Sequence, residues 1–124
     1  MEQRICLDTD VIINYLKGNE TATINSVLEE PKNILFTTSI NAFELRSRKT
    51  NLEQAENFLS KIHIASFDDY SSKIASHLFL KLKEKGALVE FRDIFIAATC
   101  ISNNAKLHTN NKKHFKRFIE LAIV

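Results

Sequence analysis

The chain is poor in the residues that break regular structure. It holds 2 glycines and 1 proline in 124 residues, where average usage gives about nine and six. An all-β sandwich or barrel needs many tight turns, and the residues that make them are missing here. Helices joined by short polar loops fit the composition. Cysteine is equally scarce: Cys6 and Cys100 both sit among apolar residues and read as buried, reduced thiols, not as a bridge. No apolar run approaches the ~20 residues that a bilayer requires, so no membrane span is expected. The N-terminus runs from Met-Glu-Gln-Arg straight into Ile5-Cys6-Leu7. It has no apolar signal region and no small-residue cleavage site, which predicts a cytoplasmic protein. Charge of neither sign dominates: the formal net charge is +2 and the pI about 8.6, too mild alone to establish a nucleic-acid partner.

What is present is the balance of a soluble globular protein, 44% hydrophobic and 26% charged. The length predicts a single domain over residues 1–124 with a core that needs no disulfide. No internal repeat or low-complexity tract interrupts it. Short apolar strands are predicted over 4–7, 34–37, 62–67 and 106–108, with a strand-like tail over 121–124. Between them the pattern predicts helices over 11–17, 20–30, 39–48, from Asn51 through Leu59, from Asp68 or Asp69 to Gly86, over 91–104 and over 112–118. Gly18 reads as a helix stop and Ser39 as a helix N-cap. Strands alternating with helices predict an α/β fold on a parallel sheet.

Most of the acidic residues lie on solvated helix faces, but three do not. Asp8 follows the buried strand Ile5-Cys6-Leu7 directly, and the carboxyl end of a strand is where open parallel sheets bind ligands. Asp10 lies two residues on, and either acid could simply cap the following helix. Glu44 shares an apolar helix face with Ile40 and Phe43, where an ionised carboxylate needs a positive partner. Arg46 or Arg48 would supply one in a plain ion pair. Asp93 heads the stripe Ile96, Ala97, Cys100, Ile101 and either caps its helix or serves a site. Together the three can converge at one edge of a parallel sheet. Carboxylates gathered there repel one another, and a hard divalent cation removes that cost. All-oxygen ligation points to Mg²⁺, with Mn²⁺ as a substitute, and not to zinc. His63, His77, His108 and His114 show no zinc-like spacing and read as surface or filler residues.

These residues stand in recognisable motifs. Leu7-Asp8-Thr9-Asp10-Val11-Ile12-Ile13 resembles the opening of PIN-domain proteins, in particular the VapC-type toxins of toxin–antitoxin pairs. Ser39-Ile-Asn-Ala-Phe-Glu44-Leu45 resembles their second motif, and Arg92-Asp93-Ile-Phe-Ile96-Ala97-Ala98-Thr99 their third. Thr109-Asn110-Asn111-Lys112-Lys113-His114-Phe115 resembles the fourth. Order, spacing and length match over essentially the whole chain. The resemblance implies a three-layer α/β/α sandwich, a homodimer, and Mg²⁺-dependent endoribonuclease activity. Asp8, Glu44 and Asp93 carry over as the catalytic, metal-binding acids. Thr9 would position Asp8 or a water, and Asn111, where the family often has Asp, would orient a neighbour or bind through water. The chain departs from the family where a glycine often follows the Glu-Leu pair, reading Arg46-Ser47-Arg48-Lys49, and where Glu90 replaces a second glycine.

Basic residues flank these motifs. Arg46, Arg48 and Lys49 follow Glu44, and Lys106, Lys112, Lys113, Lys116 and Arg117 surround Asn111. Arg46, Arg48, Lys112 and Lys113 are the candidate RNA contacts, as a basic rim around an acidic pit, and solvated helix faces are the plainer alternative. Apolar residues of the first helices, such as Ile12, Tyr15, Leu16, Leu52 and Phe58, suggest a surface for a second copy. A toxin needs a cognate antitoxin, and one that placed an Arg or Lys among the three acids would substitute for the metal's charge. Two other functions stay open at this level. Asp8-Thr9-Asp10 also resembles the opening of haloacid-dehalogenase phosphohydrolases, where the first Asp is a nucleophile. A PIN-like module that binds RNA or protein without cutting is the second.

Overall fold

The computed structural model describes residues 2–19, 21–87 and 90–124. Its strands are β1 (Gln3–Leu7), β2 (Asn33–Thr38), β3 (His63–Ala65), β4 (Lys106–His108) and β5 (Ala122–Ile123). They form one sheet in the order β3-β2-β1-β4-β5, and each neighbouring pair is parallel. The helices are α1 (Thr9–Leu16), α2 (Ala22–Glu29), α3 (Ser39–Arg46), α4 (Leu52–Leu59), α5 (Asp69–Glu84), α6 (Phe91–Ser102) and α7 (Lys112–Phe115).

The period-two alternation of the strands divides these helices into two layers. Ile5 and Leu7, with Leu35 and Ile64 beside them, pack with α1, α2, α3 and α4 residues such as Ile12, Val27, Leu45 and Leu59. On the other face Cys6, Phe36, Ala65 and Leu107 pack with Leu78, Ile94, Ile96, Phe115 and Phe118. Sheet and helices therefore make the predicted three-layer α/β/α sandwich. Burying one such aliphatic or aromatic side chain is worth about 1.5–3 kcal/mol, so both faces hold the sheet firmly. Cys6 and Cys100 lie in the second cluster as free buried thiols, and burial foremost, with Cys100 beside it, pushes the Cys6 thiol pKa up.

The scarcity of glycine has a local explanation. Gly18 and Gly86 take the left-handed conformation, with φ of 80° and 70°, just past the ends of α1 and α5. The other positive-φ turns described are made by Asn51 and Asn104, at 60° and 52°, because the short asparagine side chain tolerates that region better than others.

Several boundaries differ from the sequence expectation for identifiable reasons. α1 starts two residues early because the Asp8 carboxylate caps it through the Thr9 amide at 2.8 Å. Thr21, not position 20, caps α2; Glu20 itself lies outside the described residues. Thr38, not Ser39, caps α3, in a capping box with Asn41. The Ser39 hydroxyl instead accepts from the Phe67 amide at 3.2 Å. β3 is shorter than predicted, and the Asp68 carboxylate caps α5 through the Ser71 amide at 2.8 Å. α7 is a single turn, after which Phe118 turns back in a 3.1 Å bond to the Phe115 carbonyl.

Candidate active site

The strand order reverses direction at β1. Chain order runs outward from β1 through β2 to β3, then returns to β4 on the other side of β1. Such a switch point leaves a crevice beyond the carboxyl ends of the two central strands. Asp8 follows β1 and Thr109 follows β4, so the crevice opens between them. The start of α3 borders it from β2, and the first turn of α6 closes it from the far layer.

Asp8 is 1% exposed and densely held. Its Oδ1 accepts from the Thr9 amide at 2.8 Å and from Asn41 Nδ2 at 2.9 Å, and its Oδ2 from Thr109 Oγ1 at 2.7 Å. Asp8 is thus both the cap of α1 and a member of the pocket; the two roles are not alternatives. Asn41 is fully buried and also donates to Thr9 Oγ1 at 2.9 Å, while Thr38 Oγ1 donates to Asn41 Oδ1 at 2.6 Å. The Thr9 hydroxyl in turn donates to Glu44 Oε1 at 2.5 Å. Thr9 therefore ties two of the acids together. Asp93 is 3% exposed in the first turn of α6, where the helix dipole favours its charge. It is not the cap of that helix, a position taken by Glu90.

At the centre of the three acids stands Arg92. Its Nε donates to Glu44 Oε2 at 2.5 Å, its Nη2 to Glu44 Oε1 and Asp8 Oδ1 at 3.0 Å each, and its Nη1 to Asp93 Oδ1 at 2.8 Å. Burial would lower the Arg92 pKa, but the bonds to Glu44 and Asp93 and the charge of Asp8 outweigh it and raise the pKa. Glu44 thus finds its positive partner in Arg92 and not in a basic residue of its own helix: Arg46 pairs with Glu56 of α4 at 2.6 Å, and Arg48 is half-buried. The place assigned to a basic side chain of an antitoxin is filled from within the chain.

Other residues surround this centre. The Asp10 carboxylate accepts weakly from the Asn110 amide at 3.4 Å, and burial, then the charge of Asp8, raises its pKa. The Asn111 amide donates to Thr109 Oγ1 at 3.0 Å, and Asn111 sits where α7 begins. The exposed Lys112 and Lys113 follow it. His114 Nδ1 lies 3.7 Å from Asp93 Oδ2, so this histidine borders the site and is not mere surface filler. His108 is buried in β4; burial, then the charge of Lys112, lowers its pKa, and among the described residues its Nδ1 has no hydrogen-bond partner.

Sequence reasoning missed Arg92, Asn41, Thr109 and His114 as site residues. Only Arg92 left a readable signal: three converging acids demand a cation, and an arginine adjoins the third acid. Among the described residues no three Asp, Glu, His or Cys side chains are placed to hold a metal ion together as they stand, since the guanidinium occupies their centre. The donor chemistry nevertheless fits a hard divalent cation, because the convergent donors are carboxylate oxygens and one guanidinium does not balance three of them.

Fold and site together define a class: a parallel α/β protein whose buried acids meet at the sheet's switch point. The PIN domain family model matches residues 5–121, and the chain belongs to that family. It is 29% identical over 130 residues to the Ribonuclease VapC1 of Methanocaldococcus jannaschii, spanning 98% of this chain and 86% of the relative. It is 37% identical over 93 residues to the Ribonuclease VapC3 of the same organism, spanning 74% of this chain and 93% of the relative. The crystal structure of VapBC2 from Rickettsia felis, bound to a DNA fragment from their promoter, superposes with a TM-score of 0.85 at 28% identity, covering 98% of each chain. The dehalogenase alternative falls with this membership.

Proposed function

We propose that this protein is a Mg²⁺-dependent endoribonuclease, the toxin of a toxin–antitoxin pair. The observation that carries the reading is the convergence of Asp8, Glu44 and Asp93 on one guanidinium at the sheet's switch point. Family membership and relatives named as VapC ribonucleases support it.

Asp8, Glu44 and Asp93 are the residues that would hold the metal. A divalent cation bound there supplies Lewis-acid stabilisation and water activation for phosphodiester hydrolysis. The chain's own residues prepare the site. Asn41, Thr109 and the Thr9 amide hold the Asp8 carboxylate in orientation, and Thr9 Oγ1 holds Glu44. Lys112 and Lys113 extend into solvent beside Asn111 and supply positive charge near the acidic pocket for an RNA backbone. Arg48 and the Glu56-paired Arg46 lie one helix turn or less beyond Glu44 and complete that rim. A cytoplasmic location belongs to the same reading; none of the described helices is long and apolar enough to cross a membrane.

A homodimer belongs to the same reading. Of the first-half apolar residues, Ile12 is buried in the core, Tyr15, Leu16 and Phe58 are half-buried against it, and Leu52 is exposed. Further exposed apolar residues include Phe79, Leu80 and Phe91, beside a groove of about 320 Å³ lined by Phe67, Phe79, Phe91 and Phe95. A second copy of the chain and the antitoxin are the protein partners of this reading.

Incubation of defined RNAs with the purified protein, with Mg²⁺ and with a chelator, tests the reading. Cleavage at internal phosphodiesters that needs the metal is the expected result. RNA binding without products in Mg²⁺ or Mn²⁺ would identify the non-cleaving module instead.

A further inference from the structure

We infer that Arg92 is a built-in counter-ion of the acidic pocket, which keeps the metal-free site neutralised and must surrender its place for a divalent cation to bind, so that it sets the site's metal affinity. The inference rests on the metal reading above and goes beyond it, since it concerns a residue that reading does not use.

Four contacts argue that the guanidinium holds the cation's place. Every nitrogen of the group donates to a pocket acid, and each of the three acids receives at least one bond, at 2.5 to 3.0 Å. Oxygens around Mg²⁺ must close to about 2.0–2.1 Å of the ion. A planar group of four heavy atoms and an ion with that coordination sphere cannot occupy the same centre.

The surroundings argue that the guanidinium can leave. The Arg92 side chain is 28% exposed, against 2% for Asp8 and 5% for Asp93, so it reaches the pocket from the solvent side. It stands in the first turn of α6, whose backbone is anchored by the Asp93 and Ile94 amides on the Glu90 carbonyl at 3.1 and 3.3 Å. Departure therefore needs a change of rotamer and no change of fold.

The acids also differ in how much they depend on Arg92. Asp8 keeps the Thr9 amide, Asn41 and Thr109 when the guanidinium is gone, and Glu44 keeps the Thr9 hydroxyl. Among the described residues Asp93 keeps only the distant His114, at 3.7 Å. Toward Asp8 and Glu44 Arg92 thus acts more through its charge than as a brace, and metal and arginine compete for the same oxygens.

Calorimetric titration of Mn²⁺ into the wild-type protein, Arg92→Gln and Arg92→Lys tests this, with melting temperatures in chelator alongside. Arg92→Gln should bind Mn²⁺ at least about tenfold more tightly, the change expected when even one of the four charge-assisted hydrogen bonds no longer has to be given up. In chelator the same variant should melt below wild type, and Mn²⁺ should raise its melting temperature more. Arg92→Lys keeps the charge but cannot span three carboxylates, so its affinity should fall between the two; it also covers the case in which Arg92→Gln does not fold without metal. Equal or weaker Mn²⁺ binding by both variants would overturn the inference while leaving the metal reading intact. Absence of Mn²⁺ binding by all three proteins would overturn both.

Discussion

Asn41 offers the sharpest test of how the pocket is built, because it touches no solvent and belongs to none of the acids. Its side chain is 0% exposed. Replacement by leucine, close to it in size, removes polar contacts while opening little cavity. The bond from Nδ2 to Asp8 Oδ1 at 2.9 Å is charge-assisted and contributes about 1.5–3 kcal/mol. The bonds to Thr9 Oγ1 at 2.9 Å and from Thr38 Oγ1 at 2.6 Å are neutral and contribute about 1 kcal/mol each. Asp8 keeps its other donors and Thr9 keeps Glu44, so neither is orphaned. The expected loss is about 3–5 kcal/mol, less than the 5–15 kcal/mol stability typical of a domain. For a chain of this length that lowers the melting temperature by about 10–20 °C. Asn41→Leu should therefore fold, melt early, and cleave RNA at least about tenfold more slowly at a temperature where it is native. Thr38→Val, which spares both donors from Asn41, should lose less of each. Thermal melts beside a cleavage assay decide it. An Asn41→Leu protein that melts within about 3 °C of wild type and cleaves normally would refute the claim that Asn41 positions Asp8.

Two other perturbations follow. Asp8→Asn and Asp93→Asn should each abolish cleavage with the fold retained, as circular dichroism would show. Relief of carboxylate repulsion alone predicts a more stable metal-free protein, but Arg92 already offsets that repulsion, so the melting temperature should stay within about 5 °C of wild type; full activity in either variant would remove that acid from the site. On the far side of the molecule, Lys81 Nζ bonds Glu120 Oε1 at 2.5 Å, and this bond foremost holds the Glu120 carboxyl below its ordinary value of 4.5. A carboxyl lowered on folding stabilises above its unfolded pKa, and that gain is lost as pH falls through the folded value. Glu120→Gln should thus melt slightly below wild type at neutral pH, with the difference vanishing as pH falls through the lowered Glu120 value, and being a surface pair it should not exceed about 1 kcal/mol.

The layer architecture was legible in the sequence because it depends on local pattern. Alternating Ile5-Cys6-Leu7 and the helical stripe from Asp93 to Ile101 each report a face, and faces determine layers. Asp8 was legible for the same reason, as an acid at the end of an apolar strand. Arg92, Asn41 and Thr109 were not, since each acquires its role only when strands distant in sequence meet: Thr109 reaches Asp8 across 101 positions and Asn41 across 33. Glu44 shows the limit most plainly. Its sequence neighbours Arg46 and Arg48 are the obvious partners, yet α3 turns Arg46 toward α4 and Glu44 toward the first turn of α6. Among the first-half apolar residues, the sequence pattern did not separate Ile12, which the core consumes, from Leu52, which stays exposed.

The central claim is that Asp8, Glu44 and Asp93 form a cation site with Arg92 holding its centre in the metal-free protein. Crystals soaked in Mn²⁺, with anomalous scattering measured at the manganese edge, test it most directly. The account predicts a peak coordinated by carboxylate oxygens of these three residues, with the Arg92 side chain displaced from its position among them. An empty pocket at saturating Mn²⁺, with Arg92 still bonded to all three acids, would contradict it.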